Sequence, residues 1–218
     1  MKIGILWGIG PEASATFYYN FIKKLKKRGN IKSNADFPNI IINSINAVEL
    51  IDQKNHNINQ YIDWVELLIK CQVDVIVMVC NTIHLYRDLI IKKTWFTNIL
   101  DLKDIIHQSL LDLEKICVLW TWHSISSWLY NFNGINYTNL PKPLTSCINK
   151  AIYKFNNGSD YNQEKNMLQK YIIENKNTYL LWCTEMIWIL DKSFLNKNNI
   201  AYLDTMELLS NNLVQLYT

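Results

Sequence analysis

Glycine and proline are scarce in this chain, six and four among 218 residues. No Gly/Ser-rich or Pro-rich stretch offers a linker between halves. An excess of charge of one sign is missing too. Lys and Arg number 22 against 19 Asp and Glu, a net of +3, which is too mild and too evenly spread for nucleic acid as the main partner. Apolar runs are short and broken by polar residues, so no helix is expected to span a bilayer and no membrane partner is expected. Met1-Lys2 leads straight into Ile3-Gly4-Ile5-Leu6, without an extended apolar region or a small-residue cleavage site, which argues against a signal peptide. The five cysteines, at 71, 80, 117, 147 and 183, are odd in number and show no CxxC or CxH spacing. Neither a disulfide framework nor a metal site fits that pattern, and a reduced, cytoplasmic setting is expected.

What is present is core-forming material. Hydrophobic residues make up 49% and charged residues 19%, a balance that supports a core and excludes wholesale disorder. The length suits one large α/β domain or two small ones of about 100 residues each. Enrichment in Asn, Ile and Lys reads as drift in nucleotide composition. The eight Trp are harder to set aside, because several fall where turns are expected.

Short apolar runs alternate with amphipathic stretches, the pattern of βα units around a mostly parallel sheet. Residues 2–6 read as a strand closed by Gly8 and Gly10. Pro11 suits the first turn of a helix, where its missing N–H would have had no partner, and the helix is expected over 11–27. Its basic end, Lys23 to Arg28, followed by Gly29-Asn30, reads as a solvated, dipole-matched terminus. A strand follows over 39–44 and a helix over 57–70. Residues 74–79 (DVIVMV) have the nearly continuous apolar character of a central parallel strand. A short strand at 99–101 and a helix over 103–113 complete the first pass.

The plan then restarts. Lys115-Ile116-Cys117-Val118-Leu119-Trp120 echoes Lys2-Ile3-Gly4-Ile5-Leu6-Trp7, and a polar turn, Thr121-Trp122-His123-Ser124, leads to a helix from 126. Strands are expected at 137–140, 178–182 and 200–203, with helices over 143–155, 163–175 and 206–216. The expected fold class is α/β, with two similar lobes, each a mostly parallel sheet flanked by helices, related by pseudo-twofold symmetry. Residues 1–97 with 206–218 make the first lobe and 98–205 the second, with the active site in the cleft between them.

Each half contains an apolar strand that ends in cysteine followed by polar side chains: Cys80-Asn81-Thr82-Ile83-His84 and Cys183-Thr184-Glu185. Carboxyl ends of parallel strands are where α/β proteins place ligand chemistry, and a helix start behind a thiol favours its thiolate. Two thiols reaching one tetrahedral carbon from opposite faces suit a particular reaction. One, as thiolate, removes a proton; the other, as thiol, delivers one to the far face, and the stereocentre inverts. The bland alternative is that a free cysteine only packs a core. That reading is preferred for Cys71, Cys117 and Cys147. For Cys80 and Cys183 the matched positions favour chemistry.

Gly4-Ile5-Leu6-Trp7-Gly8-Ile9-Gly10-Pro11-Glu12-Ala13-Ser14 resembles the opening motif of the aspartate/glutamate racemase family. Cys80-Asn81-Thr82-Ile83-His84 resembles its first catalytic motif, C-N-T-x-H, and Cys183-Thr184-Glu185 its second, normally G-C-T-E. The three stand in family order along essentially the whole chain. The resemblance implies a two-lobed racemase acting on a small amino acid, with Cys80 and Cys183 as the acid/base pair, no cofactor, and a homodimeric assembly.

Supporting residues carry competing readings. Gly8-x-Gly10 lacks the third glycine of a dinucleotide loop, Ala13 standing there. It works better as a small-anion site at a helix start, with Ser14 either a further donor or a cap. Thr121 and Ser124 match the hydroxyls of the family's T-x-G-T turn. Asn81 and Thr82 would bind the α-carboxylate or fix the thiolate, with Thr184 as their counterpart. His84 and Glu185 would tune the thiols, hold the ammonium group, or only stabilise helix starts. Asn46 falls in a loop that shapes the side-chain pocket in relatives. His56 and His107 read as surface residues, and His123 replaces a family glycine.

The chain also departs from the pattern. Trp7, Trp128 and Trp182 stand where the family has Gly, and Trp120 where it has a small residue, which threatens positive φ or ligand space. Some aspartate-preferring members of the resembled family use an Arg after the second strand and a Lys in the second lobe; residues 46–52 here hold no Arg, and Lys154 stands near the place of that Lys. The leading expectation is a PLP-independent racemase of aspartate or glutamate. The alternatives are a non-catalytic or altered-specificity ligand-binding relative with a Trp-filled pocket, or another isomerase of the superfamily, maleate or hydantoin type.

Overall fold

The computed structural model describes residues 1–46, 58–121 and 131–217. The helix expected from 126, and with it His56, His123, Ser124 and Trp128, lies outside the described residues. The chain divides into two compact units, Met1–Leu102 with Met206–Thr218, and Lys103–Thr205.

In the first unit, β1 (Lys2–Trp7), α1 (Pro11–Lys27), β2 (Asn39–Ser44), α2 (Ile58–Lys70), β3 (Val75–Met78) and α3 (Arg87–Thr94) follow one another. The sheet order is β2-β1-β3, all parallel, with Ile3 opposite both Ile40 and Val75. The apolar run predicted as a central strand supplies β3, whose four residues are all buried. One face of the sheet packs Leu6, Ile76 and Met78 against Tyr61, Ile62, Val65 and Leu68 of α2 and Ile90 of α3. Those α2 positions recur at helical spacing, which is why the segment folds as a helix and which side it buries. The short strand expected at 99–101 is reduced to a single bridge, Ile76 to Ile99. Arg87 adds a side-chain clamp to that bridge: its guanidinium donates twice to Ile99 O, at 3.0 and 2.9 Å, and pairs with Asp101 at 3.2 Å.

The second unit is built from α4 (Leu102–Leu110), β4 (Ile116–Leu119), β5 (Tyr137–Thr138), α5 (Lys142–Asn156), α6 (Asn162–Glu174), β6 (Thr178–Leu181), α7 (Met186–Leu190), α8 (Lys192–Lys197) and β7 (Tyr202–Asp204). Its sheet is again parallel, in the order β5-β4-β6-β7. The strand expected at 200–203 begins two residues later. Asn199 adopts φ +51°, and Ile200 N–H donates to Leu195 O at 3.0 Å, so Ile200 ends α8 rather than starting a strand. The helices α7 and α8 are a finding beyond the sequence reading; Asp191, at φ +68°, breaks them apart and caps α8 through Ser193 N–H. The closing helix α9 (Thr205–Tyr217) returns to the first unit, where Lys24 on α1 donates to Asn211 Oδ1 at 2.6 Å. Among the described residues no helix is long and apolar enough to cross a membrane.

One cysteine reading is corrected. Cys71 is exposed, not in the core, because it sits in the turn beyond α2 that Gln72 closes at φ +57°. Cys147 is buried as expected but has a polar companion: its thiol donates to Glu164 O at 3.4 Å. Cys117 is fully buried in mid-strand, and burial pushes its thiol up to about 12.

Candidate active site

In the first unit the expected site residues leave the carboxyl end of one sheet. Gly8, Gly10 and Ser14 follow β1, Asn46 follows β2, and Cys80, Asn81, Thr82 and His84 follow β3. Parallel pairing forces this clustering, because all three strands point the same way.

The loop after β1 is specified by its glycines. Gly8 has φ +98° and Gly10 φ +85°. A Cβ on Gly8 would lie 2.1 Å from Ile45 O and 2.8 Å from Ile45 N, so the strand exits of β1 and β2 can approach this closely only without a side chain there. Ser14 is fully buried; its hydroxyl donates to Gly10 O at 2.9 Å and accepts from Gly8 N–H at 3.3 Å. A hydroxyl has one proton, and here it is used inside the loop.

Cys80 stands two residues beyond β3, only 9% exposed, within the apolar cluster of α2 and β3. Asn81 is buried beside it, and Thr82 is half-buried. The helix expected behind the thiol differs in detail. Thr82–Tyr86 form a 3-10 turn, and the α-helix starts only at Arg87. His84 is fully buried in that turn, its Nε2 3.2 Å from Met78 O. A carbonyl only accepts, so this nitrogen carries the proton. Asn46 is exposed at the mouth of the loop after β2.

Sequence reasoning passed over Tyr61, which falls within the helix expected over 57–70. It lies in the first turn of α2, buried, its ring edge-on to Trp64 with centroids 5.1 Å apart. Burial pushes its hydroxyl up to about 12, and the nearby charges of Cys80 and Tyr86 push it the same way. The signal that could have found it is topological: a helix following a parallel strand begins at the sheet's carboxyl end.

In the second unit, Thr121 follows β4 and Cys183, Thr184 and Glu185 follow the adjacent strand β6. Thr121 is buried, Cys183 is half-buried against the unit's core, and Thr184 Oγ1 donates to Glu185 Oε2 at 3.1 Å. Ser124 lies outside the described residues. Lys154 faces α6, where it donates to both carboxylate oxygens of Glu164 at 2.8 and 2.9 Å. His107 is corrected from a surface residue to a half-buried one, its ring stacked on Phe132 at 4.5 Å.

Trp7 and Trp182, at expected glycine positions, and Trp120, at that of a small residue, sit there without backbone strain. Among the described residues, positive φ at non-glycine positions is confined to Gln72, Trp95, Lys115, Asp191 and Asn199, so Trp7, Trp120 and Trp182 adopt ordinary conformations. Trp182 is fully buried, and Trp7 leans on Tyr18 at 6.2 Å. Trp120 lines a cavity of about 370 Å³ with Tyr137, Leu140, Lys142 and Thr145. Among the described residues no three His, Cys, Asp or Glu side chains group as a metal site.

No protein-family model and no curated protein matches the chain. Solved structures do. The aspartate racemase of Picrophilus torridus superimposes with a TM-score of 0.77 at 22% identity, over 99% of this chain and 94% of that one. An aspartate racemase homologue from Pyrococcus horikoshii gives 0.75 at 20% identity, over 99% and 98%. Glutamate racemase from Francisella tularensis, in complex with D-glutamate, gives 0.71 at 18% identity, over 99% and 80%. The chain has the aspartate/glutamate racemase fold. Within that fold the two cysteine turns, one per unit, each occupy the carboxyl end of a parallel sheet.

Proposed function

We propose that this protein is an amino-acid racemase, with aspartate or glutamate as first candidates, working by PLP-independent proton transfer between two cysteines. The observation that carries the reading is the repetition of a cysteine turn at the carboxyl end of each parallel sheet, in a chain of racemase fold along 99% of its length. Cys80 would serve one face of the substrate Cα and Cys183 the other. One thiolate takes the α-proton, a planar carbanion forms, and the opposite thiol supplies a proton to the far face. Atoms and charge balance, since one cysteine ends protonated and the other deprotonated.

The difficult step is removing a weakly acidic proton beside a carboxylate, so donors fixed around that carboxylate contribute most when charge develops. The first-turn amides of α1 suit this role. Ser14 serves by shaping their loop, because its proton is held by Gly10 O. Asn81 and Thr82 would meet the carboxylate beside Cys80, with Thr121 and Thr184 as the counterpart set. Lys154, paired to Glu164, is left out of the anchor role. The family resemblance extends the proposal to a homodimer.

The test is incubation with L-aspartate, L-glutamate and a panel of neutral amino acids in D2O without added cofactor. Deuterium at Cα, with appearance of the D form, is expected. No exchange across the panel would overturn the enzyme and favour a ligand-binding relative. Turnover of a maleate or hydantoin substrate instead would place the chemistry elsewhere in the superfamily.

A further inference from the structure

Tyr61 occupies a position that the reaction outlined above does not yet use. Helix α2 follows the parallel strand β2, so its first turn stands at the same end of the sheet as Cys80. Tyr61 is in that turn and shares one buried cluster with Cys80, Ile83 and Met78. Its ring is fixed edge-on by Trp64, and Trp64 O in turn accepts from Asn43 Nδ2 of β2 at 3.1 Å. The helix that carries the phenol is therefore tied to the sheet that carries the thiol.

We propose that Tyr61 is a positioning residue for Cys80, its hydroxyl donating a hydrogen bond that stabilises the thiolate when the substrate is to be deprotonated. Burial keeps the phenol protonated up to about 12, so it acts as a donor and never as a competing base. The other titratable groups near Cys80 among the described residues come from the 3-10 turn. Tyr86 is electrostatically coupled to Tyr61, and His84 is turned to Met78 O. Arg87, at the start of α3, is committed to Ile99 O and Asp101. Strand β1 brings no charged group to this end, Lys2 lying at the other. With Asn81 and Thr82 assigned to the substrate carboxylate, Tyr61 is the titratable donor that the described packing offers to the thiol. The inference rests on Cys80 acting as a base, but its test needs no turnover.

The experiment is alkylation of Cys80 by iodoacetamide as a function of pH, followed by peptide mass spectrometry, in the wild type and in Tyr61→Phe. Phenylalanine keeps the ring and its contact with Trp64 while removing the donor. The midpoint of Cys80 alkylation is expected to rise by about one pH unit or more, as loss of one charge-assisted hydrogen bond requires. The acid limb of any racemisation profile should move with it. Tyr86→Phe serves as the control and should leave the midpoint within a few tenths of a unit. An unchanged midpoint in folded Tyr61→Phe overturns the assignment, as does an equal rise in Tyr86→Phe. If Tyr61→Phe fails to fold, Tyr61→Met with the same alkylation profile decides by the same criterion. The expected rise in Tyr61→Phe, together with a wild type that exchanges no α-proton, would retain the Tyr61 assignment and sink the racemase reading instead.

Discussion

Alanine at Gly8 should be among the most damaging single-methyl changes in the first unit, and the structure gives the reason in two separable parts. Holding an L-residue at φ +98° costs about 1–2 kcal/mol. The added Cβ would also sit 2.1 Å from Ile45 O, a backbone atom with no side-chain freedom to yield. The segment must move, and with it goes the bond from Ile45 N–H to Trp7 O, now 3.0 Å. A lost buried hydrogen bond adds about 1–3 kcal/mol. Stiffening of the unfolded chain returns about 0.4–1 kcal/mol, leaving a net loss of about 2–4 kcal/mol. Gly29 is the internal control: its φ is similar, +81°, but a Cβ there meets nothing within 4 Å. Gly29→Ala should therefore cost only the conformational part, about 1 kcal/mol after the same correction. Urea unfolding of both variants measures the difference directly. Equal losses in the two would refute the argument that close approach of the β1 and β2 exits is what demands glycine at position 8.

Other expectations follow from the same contacts. Ser14→Ala removes the brace between Gly8 and Gly10 and should cost about 1–2 kcal/mol in the same unfolding assay, with kcat/KM falling as the α1 amides lose their fixed geometry. Cys80→Ser and Cys183→Ser should each abolish racemisation in a coupled chiral assay, and full activity in either would reject the two-thiol assignment. Thiol titration of the native protein at neutral pH should label Cys71 quickly and leave Cys147 and Cys117 slow, since burial holds their thiols near about 11 and about 12. Glu164 is held below its ordinary 4.5 chiefly by its hydrogen bond from Lys154. A depressed folded-state pKa gives stability that is present above 4.5 and lost as pH falls toward the lower folded value. Lys154→Met should flatten that acid-side fall in denaturation curves measured across it.

Much of the fold was legible because its signals are local. Pro11 after a glycine pair fixes where α1 starts, the apolar run around Val75–Met78 marks a covered strand, and the α2 periodicity names its buried face. The cysteine turns were legible as well, as strand exits with polar followers. What escaped depends on side-chain bonds and turn geometry that hydrophobic periodicity does not report. Arg87 clamps the one-residue bridge where a strand was expected, Asp191 splits a segment into two short helices, and Glu164 claims Lys154 across ten residues. Tyr61 was hidden for a different reason: an amphipathic face reads the same whether its aromatic ring only packs or also points a hydroxyl toward a reactive end. Ser14 shows the converse, a residue readable as a substrate donor whose proton the loop itself consumes.

The central claim is that two different groups handle the proton on the two faces of one carbon. The direct measurement is the distribution of deuterium during the first few per cent of conversion of an L-amino acid in D2O. Two separate bases predict deuterium in the newly formed D isomer while the remaining L pool stays protiated. Early deuterium in both pools at equal rates, or a D product that keeps the original proton, would mean that a single group both removes and returns it, and would contradict the account.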